Sequence, residues 1–178
     1  MGPERHPTKK VKLITGLILE RPSLLPEVKN RLEKAFKNGV DFESPLIDFN
    51  HTDYYAEEMG GPLKRVFLSY ERPVDLKAIH MTKLKTNIIE REFCKSGKRS
   101  VNIDPGYLDL SKLVLFSTKD YSHRVYLADG IFAEVTLFFK ANTFNAWPWT
   151  YPDYKSDDYI SVFNAIREIY KGELLSAI

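Results

Sequence analysis

A histidine and a glutamate stand on opposite strands of a hairpin that the sequence predicts for residues 123–136. The Asp-Gly pair at 129–130 separates two apolar segments, and this dipeptide is typical of a two-residue hairpin turn. With the strands paired directly across the turn, His123 and Glu134 lie diagonally on one face, and Arg124 points to the other. Because a carboxylate can hold an imidazole in one tautomer, His123 is a candidate general acid or base oriented by Glu134. A structural ion pair or an exposed strand end explains the same residues.

Three cations form a second candidate group, because each stands at a predicted strand end. Arg99 precedes one strand, Lys119 follows another, and Arg124 begins the hairpin. Such a group can hold a phosphate or carboxylate, but solvated surface charges fit the pattern equally well. Asp104 lies close to Arg99 in sequence and is a candidate to orient or coordinate a ligand. The Pro105-Gly106 pair that follows it predicts a turn.

A helix predicted for residues 75–93 carries one lysine on its apolar side. At 100° per residue, Lys85 falls among apolar residues, while most polar residues share the opposite arc. We expect Lys85 to extend its charge from the edge of the apolar face; drawn inward by an acidic partner, it would instead be a catalytic candidate. The polar arc comprises His80, Lys83, Asn87, Glu90 and Arg91.

Metal and nucleotide motifs give little support to a particular cofactor. Residues with suitable oxygen and nitrogen atoms cluster between positions 48 and 58, but their spacing matches no established zinc or calcium pattern, so no metal site is predicted. They are Asp48, His51, Asp53, Glu57 and Glu58. Glu92 stands where a phosphate-binding loop ending at Gly97-Lys98 needs its first glycine, and Thr118-Lys119-Asp120 is one residue shorter than the guanine-reading motif of GTPases. The sequence is therefore not that of a P-loop GTPase.

The elements that must position these residues alternate between strands and helices. The first six are a strand at 11–19, a helix closed by Gly39, strands at 44–49 and 65–70, a helix at 75–93 and a strand at 100–103. This β-α-β-β-α-β order is the ferredoxin-like arrangement. A strand at 112–117, a hairpin with arms at 125–128 and 131–139, and a helix at 156–171 follow. We therefore expect an α+β fold with a ferredoxin-like core, extended by a β-hairpin and a C-terminal helix.

The composition indicates one domain of 178 residues, with a flexible basic tail at 1–10 and a single α+β domain at 11–178. The net charge is +2, but residues 1–12 contribute +3, which leaves the remainder at −1. A nearly neutral domain does not resemble a surface that follows nucleic acid phosphates. A single cysteine, Cys94, cannot form an internal disulfide, and no apolar run is long enough to cross a bilayer. We expect a soluble cytoplasmic protein.

Several motifs together resemble the family of domain of unknown function 4416. They are Thr52-Asp53-Tyr54-Tyr55 to Met59-Gly60, Asn102 to Tyr107, Ser117 to Asp120, Gly130 to Leu137, and Trp149 to Tyr154. The resemblance spans nearly the whole chain and implies a stand-alone prokaryotic protein of about this length. It implies no reaction, although some members carry a GTP-binding label.

These observations favour a cytoplasmic enzyme or binding protein for a small phosphorylated or nucleotide-like molecule. Arg99, Lys119 and Arg124 would neutralise the anion, His123 would move a proton, and Asp104 and Glu134 would orient or coordinate. The alternative is a non-catalytic module for RNA or a protein partner, using the basic tail and an open face of the sheet. The absence of the aromatic signature of RNA-recognition sheets weighs against that alternative.

Overall fold

The computed structural model of the chain describes residues 10–50, 59–95 and 97–176. Nearly all of the predicted basic tail lies outside the described residues. So do four of the metal-ligand candidates, namely His51, Asp53, Glu57 and Glu58.

The described chain combines helices with runs of consecutive antiparallel strands, which confirms the α+β class. The strands are β1 Lys12–Leu19, β2 Val40–Glu43, β3 Ile47–Phe49, β4 Leu63–Tyr70, β5 Cys94–Lys95, β6 Lys98–Arg99, β7 Val101–Leu108, β8 Lys112–Ser117, β9 Val125–Ala128, β10 Ile131–Lys140 and β11 Thr143–Ala146. The α-helices are α1 Leu25–Phe36, α2 Met81–Glu92 and α3 Asp157–Ser176. None of these helices combines the length and the apolar character that crossing a membrane requires.

Nine of these strands form one antiparallel sheet with β1 near its centre. The order along the main path is β11-β10-β8-β7-β1-β4-β2, while β3 pairs with β4 and β9 pairs with β10. All eight residues of β1 are buried, as its continuous apolar sequence predicts for a central strand. Strands β5 and β6 pair only with each other.

Helices cover both faces of this sheet. Helices α1 and α2 pack on one face, where Leu25, Val28 and Leu32 of α1 recur at helical spacing and join the strand side chains. Helix α3 packs on the other face through Tyr159, Phe163 and other residues. The open sheet face that an RNA-binding module of the expected kind would use is therefore covered.

The predicted hairpin of β9 and β10 is present, with one difference in register. Asp129 and Gly130 both have positive φ, at 52° and 74°, which is the backbone of a type I′ turn. Beyond the first pair the register shifts at a bulge, so that Ala133 rather than Glu134 faces Val125. Direct pairing across the turn was therefore wrong by one residue, because an extra residue in the strand cannot be inferred from the turn type.

Several elements also differ from the sequence-based expectation: helix α2 begins at Met81 rather than at residue 75, and β7 continues to Leu108 rather than ending at residue 103. The strand predicted at 44–49 is replaced by β2 and β3, which both pair with β4 on either side of Ser44 and Pro45. Strand β11, which extends the sheet beside β10, was not predicted. Helix α3 continues through Gly172 to Ser176, because burial of its apolar face outweighs the weak preference of glycine for helix ends.

A gap opens in the sheet where β7 and β8 separate. The two strands pair only from Gly106 to Leu108 of β7, beyond which β7 pairs with β1 alone and β8 with β10 alone. The predicted turn at Pro105-Gly106 is wrong, since both residues lie within β7. Pro105 is instead the first residue past the shared pairing, where its missing N–H leaves no ladder hydrogen bond unmade.

Candidate functional site

A cavity of about 460 Å³ lies at the gap between β7 and β8. Five of the six predicted site residues line it: Arg99, Asp104, Lys119, Arg124 and Glu134. His123 lines a separate shallow groove, on the far side of Glu134. The structure thus brings most of the predicted group together but places the imidazole elsewhere.

A buried arginine organises one wall of the cavity. Arg65 of β4 is 2% exposed, and its guanidinium donates to Asp104 Oδ2 at 3.3 Å and to Asp153 Oδ2 at 3.1 Å. Burial alone would lower the pKa of Arg65, but nearby tyrosines and the two carboxylates raise it, so that the side chain stays charged. Arg65 is therefore the positive centre around which this wall is built.

A chain of polar contacts continues from Asp104 along the cavity. Asn102 donates from Nδ2 to Asp104 Oδ2 at 3.1 Å and accepts from Arg99 Nη1 at 3.2 Å. Arg99 also lies 3.7 Å from Glu90 of α2. Arg99, which was predicted to bind a ligand, is therefore linked through Asn102 to Asp104 of β7 and directly to Glu90 of α2.

At the gap no described strand pairs with this edge of β7, and side chains of α2 form the hydrogen bonds with its backbone instead. Glu90 Oε1 accepts from the Ile103 N–H at 2.6 Å, and Lys83 Nζ donates to the Ile103 carbonyl at 2.9 Å. Burial raises the pKa of Glu90, opposed by Lys83 and by this backbone hydrogen bond. Lys83 and Glu90 therefore satisfy the free edge of β7 and bring charge to the cavity floor.

The structure shows how α2 is oriented. Lys85 is exposed and donates to the Ala35 carbonyl at the surface, as expected for a lysine at the edge of the apolar face, whereas Lys83, Asn87 and Glu90 line the cavity. The periodicity identified a common polar face but not what that face covers. A polar helical face can equally cover unpaired backbone groups of a strand, and the spacing alone does not distinguish these environments.

Arg124 and Glu134 form the opposite wall. Glu134 Oε2 accepts from Arg124 Nε and from His123 Nε2, both at 3.0 Å. The Arg124 guanidinium also donates to Ser117 Oγ, to the Lys119 carbonyl and to the Tyr151 hydroxyl. Burial lowers the pKa of Arg124, but the contacts with Glu134 and Tyr151 raise it by more. Arg124 was expected on the opposite face from Glu134; the bulge beside the turn brings them together.

Tyr154 lines the same cavity and has a buried hydroxyl. The residue is 3% exposed, and its hydroxyl has no hydrogen-bond partner among the described residues. Gly16 makes room for it, since a Cβ there would lie 3.2 Å from both the Tyr154 hydroxyl and Arg65 Nη1. Burial raises the pKa of Tyr154 well above its ordinary value, opposed in part by Arg65. The hydroxyl is therefore protonated at neutral pH.

Sequence reasoning missed several of these residues. Arg65 shares a face of β4 with the apolar residues Leu63 and Phe67, and a cation on a buried face needs acidic partners; this signal was available. Lys83, Asn87 and Glu90 share a face at i, i+4 and i+7, which was also visible. Nothing local indicates that Tyr154 reaches the cavity.

The assembled site offers both charges and neutral hydrogen-bonding groups. Its lining includes five cations, four acids, two asparagines and two tyrosines. Among the described residues, no three His, Cys, Asp or Glu side chains are placed to hold a metal ion. The arrangement can therefore hold a polar molecule, with Glu90 as the lining acid whose pKa burial raises.

Comparison with known proteins gives a family and no described activity. No curated protein and no solved structure matches the chain. The model of one family, described as a domain of unknown function, matches residues 9–170. The match covers every element of the large sheet and most of α3. On this basis the chain belongs to the DUF4416 family.

Proposed function

We propose that the cavity between β7 and β8 binds a small phosphorylated, nucleotide-like molecule in the cytoplasm. The observation that carries this proposal is the convergence of Arg99, Lys119 and Arg124 on one cavity from separate parts of the chain. Three cations suit a phosphate ester, because arginine and lysine make strong charged hydrogen bonds to phosphate oxygens. The cavity volume also falls within the range of about 300 to 1,000 Å³ that is typical of small-molecule sites.

The distribution of acids indicates where the anionic group binds. Arg65 and Arg124 contact buried or half-buried carboxylates directly, Arg99 lies 3.7 Å from Glu90, and the Lys119 side chain is exposed just beyond β8. The backbone of Lys119 is held by hydrogen bonds with Ser117 and Arg124. We place the phosphate between Lys119 and Arg99, at the outer part of the cavity.

Proton transfer is assigned differently from the sequence-based hypothesis. His123 is separated from the cavity by Glu134, so it acts as a positioning residue that holds the Glu134 carboxylate. Glu90 lines the cavity, and burial raises its pKa above the ordinary value of a glutamate. If the ligand is chemically converted, Glu90 is the proposed general acid or base, and Asp104 orients the ligand.

The fold supports a ferredoxin-like interpretation of the central strands. The order β7-β1-β4-β2 is antiparallel throughout, with α1 between β1 and β2 and α2 between β4 and β7. We propose that this part is the ferredoxin-like core and that β8 to β11 and α3 are additions. The cavity then lies where the core and the additions separate.

The binding proposal is tested by a thermal-shift screen of inorganic phosphate, sugar phosphates and nucleotides, followed by calorimetry. Arg99→Gln and Lys119→Gln should each weaken binding of a phosphate ester at least about tenfold, since each removes one charged hydrogen bond. Lys98→Gln is the matched control, because Lys98 is exposed beside Arg99 and does not line the cavity. Unchanged affinity in both test variants would refute the proposal.

A row of exposed aromatic rings favours a second candidate function, the binding of single-stranded RNA. His123 stacks on Trp149 with a centroid distance of 5.8 Å, and Tyr121 lies 5.1 Å from His123. Tyr121 is 65% exposed and Trp149 is 40% exposed, and nucleobases stack on such rings.

Fluorescence anisotropy with a labelled RNA oligonucleotide tests this second function. Trp149→Ala should weaken binding, Tyr126→Ala on β9 should not, and removal of residues 1–10 should reduce the salt dependence. Binding that is unaffected by Trp149→Ala would exclude the aromatic row as the site.

A further inference from the structure

The inner end of the cavity differs chemically from its cationic outer part. Two side chains there have hydrogen-bonding capacity that the described residues leave unused, and both contact the Arg65 cluster. These are Tyr154, through its hydroxyl, and Asp104, through Oδ1.

The Tyr154 hydroxyl is a buried polar group on a residue that lines the cavity. Most buried hydroxyls have a partner, because leaving one without a hydrogen bond costs free energy. Tyr170 shows the usual case, since its buried hydroxyl donates to the Lys10 carbonyl at 2.6 Å. Tyr154 lacks such a contact although Arg65 and Asp153 lie near it. An unused buried hydroxyl of this kind is a position for a ligand atom.

Asp104 provides an acceptor on the same wall. Its Oδ2 accepts from Arg65 and Asn102, while no described residue donates to its Oδ1. About a quarter of the side chain is exposed. The carboxylate can therefore accept a hydrogen bond from a bound molecule without losing its contact with Arg65.

The charge and the hydrogen-bonding capacity of these two groups restrict the ligand. A fully ionised phosphate or carboxylate would be repelled by Asp104 and has no proton to donate to it, and an ammonium group has no lone pair to accept from the Tyr154 hydroxyl. A neutral hydroxyl suits both contacts, because it donates to Asp104 and accepts from the protonated Tyr154.

We infer that the inner end of the cavity recognises sugar hydroxyls, so that the ligand is a polyhydroxylated phosphate ester with its phosphate at Arg99 and Lys119. This inference rests on the proposed function and adds the substrate class and the ligand's orientation. The shared chemistry is that of a free sugar phosphate and of the sugar-phosphate part of a nucleotide.

Calorimetry with four probes tests the inference: inorganic phosphate, butyl phosphate, ribose 5-phosphate and adenosine monophosphate. Ribose 5-phosphate should bind at least tenfold more tightly than butyl phosphate, which has a chain of similar size without hydroxyls. Adenosine monophosphate binding still more tightly identifies a nucleotide, and weaker binding identifies a free sugar phosphate. Equal affinities for ribose 5-phosphate and butyl phosphate would overturn the inference.

Tyr154→Phe separates a role in recognition from a role in the fold. The variant should bind ribose 5-phosphate at least tenfold more weakly and bind butyl phosphate as the wild type does. Without ligand, its melting temperature should equal or exceed that of the wild type, whereas Tyr170→Phe should melt at a lower temperature and bind ribose 5-phosphate normally. A lowered melting temperature for Tyr154→Phe, or equal weakening for both esters, would overturn the inference.

The outcome also distinguishes this inference from the proposal on which it depends. Binding of all phosphate esters that is sensitive to Lys119→Gln but not to Tyr154→Phe leaves the proposed function standing and removes the hydroxyl site. A wild-type protein that binds none of the four probes removes both.

Discussion

A single buried cation holds together parts of the chain that are far apart in sequence. Arg65 belongs to β4, yet its guanidinium contacts Asp104 of β7 and Asp153 just before α3. Both acids would be left without their main counter-charge if the arginine were removed, and a buried carboxylate without a partner is strongly unfavourable. The same side chain therefore stabilises the fold and shapes the cavity.

We expect Arg65→Met to lower the free energy of unfolding by about 3–5 kcal/mol, because it leaves the buried Asp153 and the half-buried Asp104 without their counter-charge. Lys64→Met is the matched control: Lys64 pairs with Asp48 at the surface, where an ion pair contributes about 0–1 kcal/mol. Urea denaturation at pH 7 measures both. Similar losses in the two variants would show that the Arg65 cluster adds little to stability.

Glu90 makes the free energy of unfolding depend on pH. Burial raises its pKa in the folded protein, so the folded state favours the protonated form. The resulting stabilisation is present below the ordinary pKa of a glutamate and is lost as the pH rises through the raised value. Lys83, the Ile103 N–H and Arg99 oppose this rise, while Asp104 adds to it.

Glu90→Gln should therefore gain stability relative to the wild type as the pH rises from about 4.5 to 8, since glutamine cannot ionise. Urea denaturation across this range gives the difference in unfolding free energy between the two proteins. Glu92→Gln, at the exposed end of α2, is the control for a glutamate outside the cavity. If the wild type instead became more stable than Glu90→Gln as the pH rises, the pKa of Glu90 would not be raised in the folded protein.

At the scale of elements, the separation of β7 from β8 creates the site. Gly106 is the last residue at which they pair, and a Cβ there would lie 2.2 Å from the Val114 carbonyl oxygen. The two backbones therefore meet closely at one end of the gap and diverge toward the other. The cavity depends on this fixed contact point.

Gly106→Ala should lower the free energy of unfolding by more than about 2 kcal/mol, because the contact is with backbone that cannot rotate away. Gly172→Ala in α3 is the control: no atom lies within 4 Å of its added Cβ, and we expect a gain of about 0.5–1 kcal/mol. Thermal and urea denaturation check both signs. A neutral Gly106→Ala would mean that β8 shifts without cost.

The sequence predicted an element well where neighbouring residues alone determine its conformation. The Asp-Gly turn predicted the hairpin because both residues tolerate positive φ, and the apolar run predicted β1 because a central strand is buried on both sides. The sequence predicted a turn at Pro105-Gly106, whereas the two residues lie where the pairing of β7 with β8 ends. Proline and glycine are common in both settings, so their presence alone does not distinguish them. The inward orientation of Lys83 depends on a strand edge some 20 residues away, which no local pattern reveals.

For the molecule as a whole, the cavity joins the two layers that cover the sheet. Lys83 and Glu90 come from α2 on one side, and Asp153 and Tyr154 come from the segment before α3 on the other. The sequence indicated which charged residues stand at strand ends, but it did not reveal the order of the strands in the sheet, which brings these residues to one cavity. Most of the charged residues of the candidate site could therefore be predicted, but only part of their arrangement could.

A ligand that fills this cavity should couple the two layers, because it contacts groups from both. If the proposal is right, ribose 5-phosphate at about 100 times its dissociation constant should stabilise the folded state by about 2.7 kcal/mol. Hydrogen exchange followed by mass spectrometry should then slow in α2 and in residues 150–160, and less in α1, which contributes no lining residue. Slowing confined to one layer would place the ligand outside the gap, and equal slowing in α1 would show global stabilisation without local contact. Protection of both layers, lost in Lys119→Gln, is the result that a ligand bound between β7 and β8 requires.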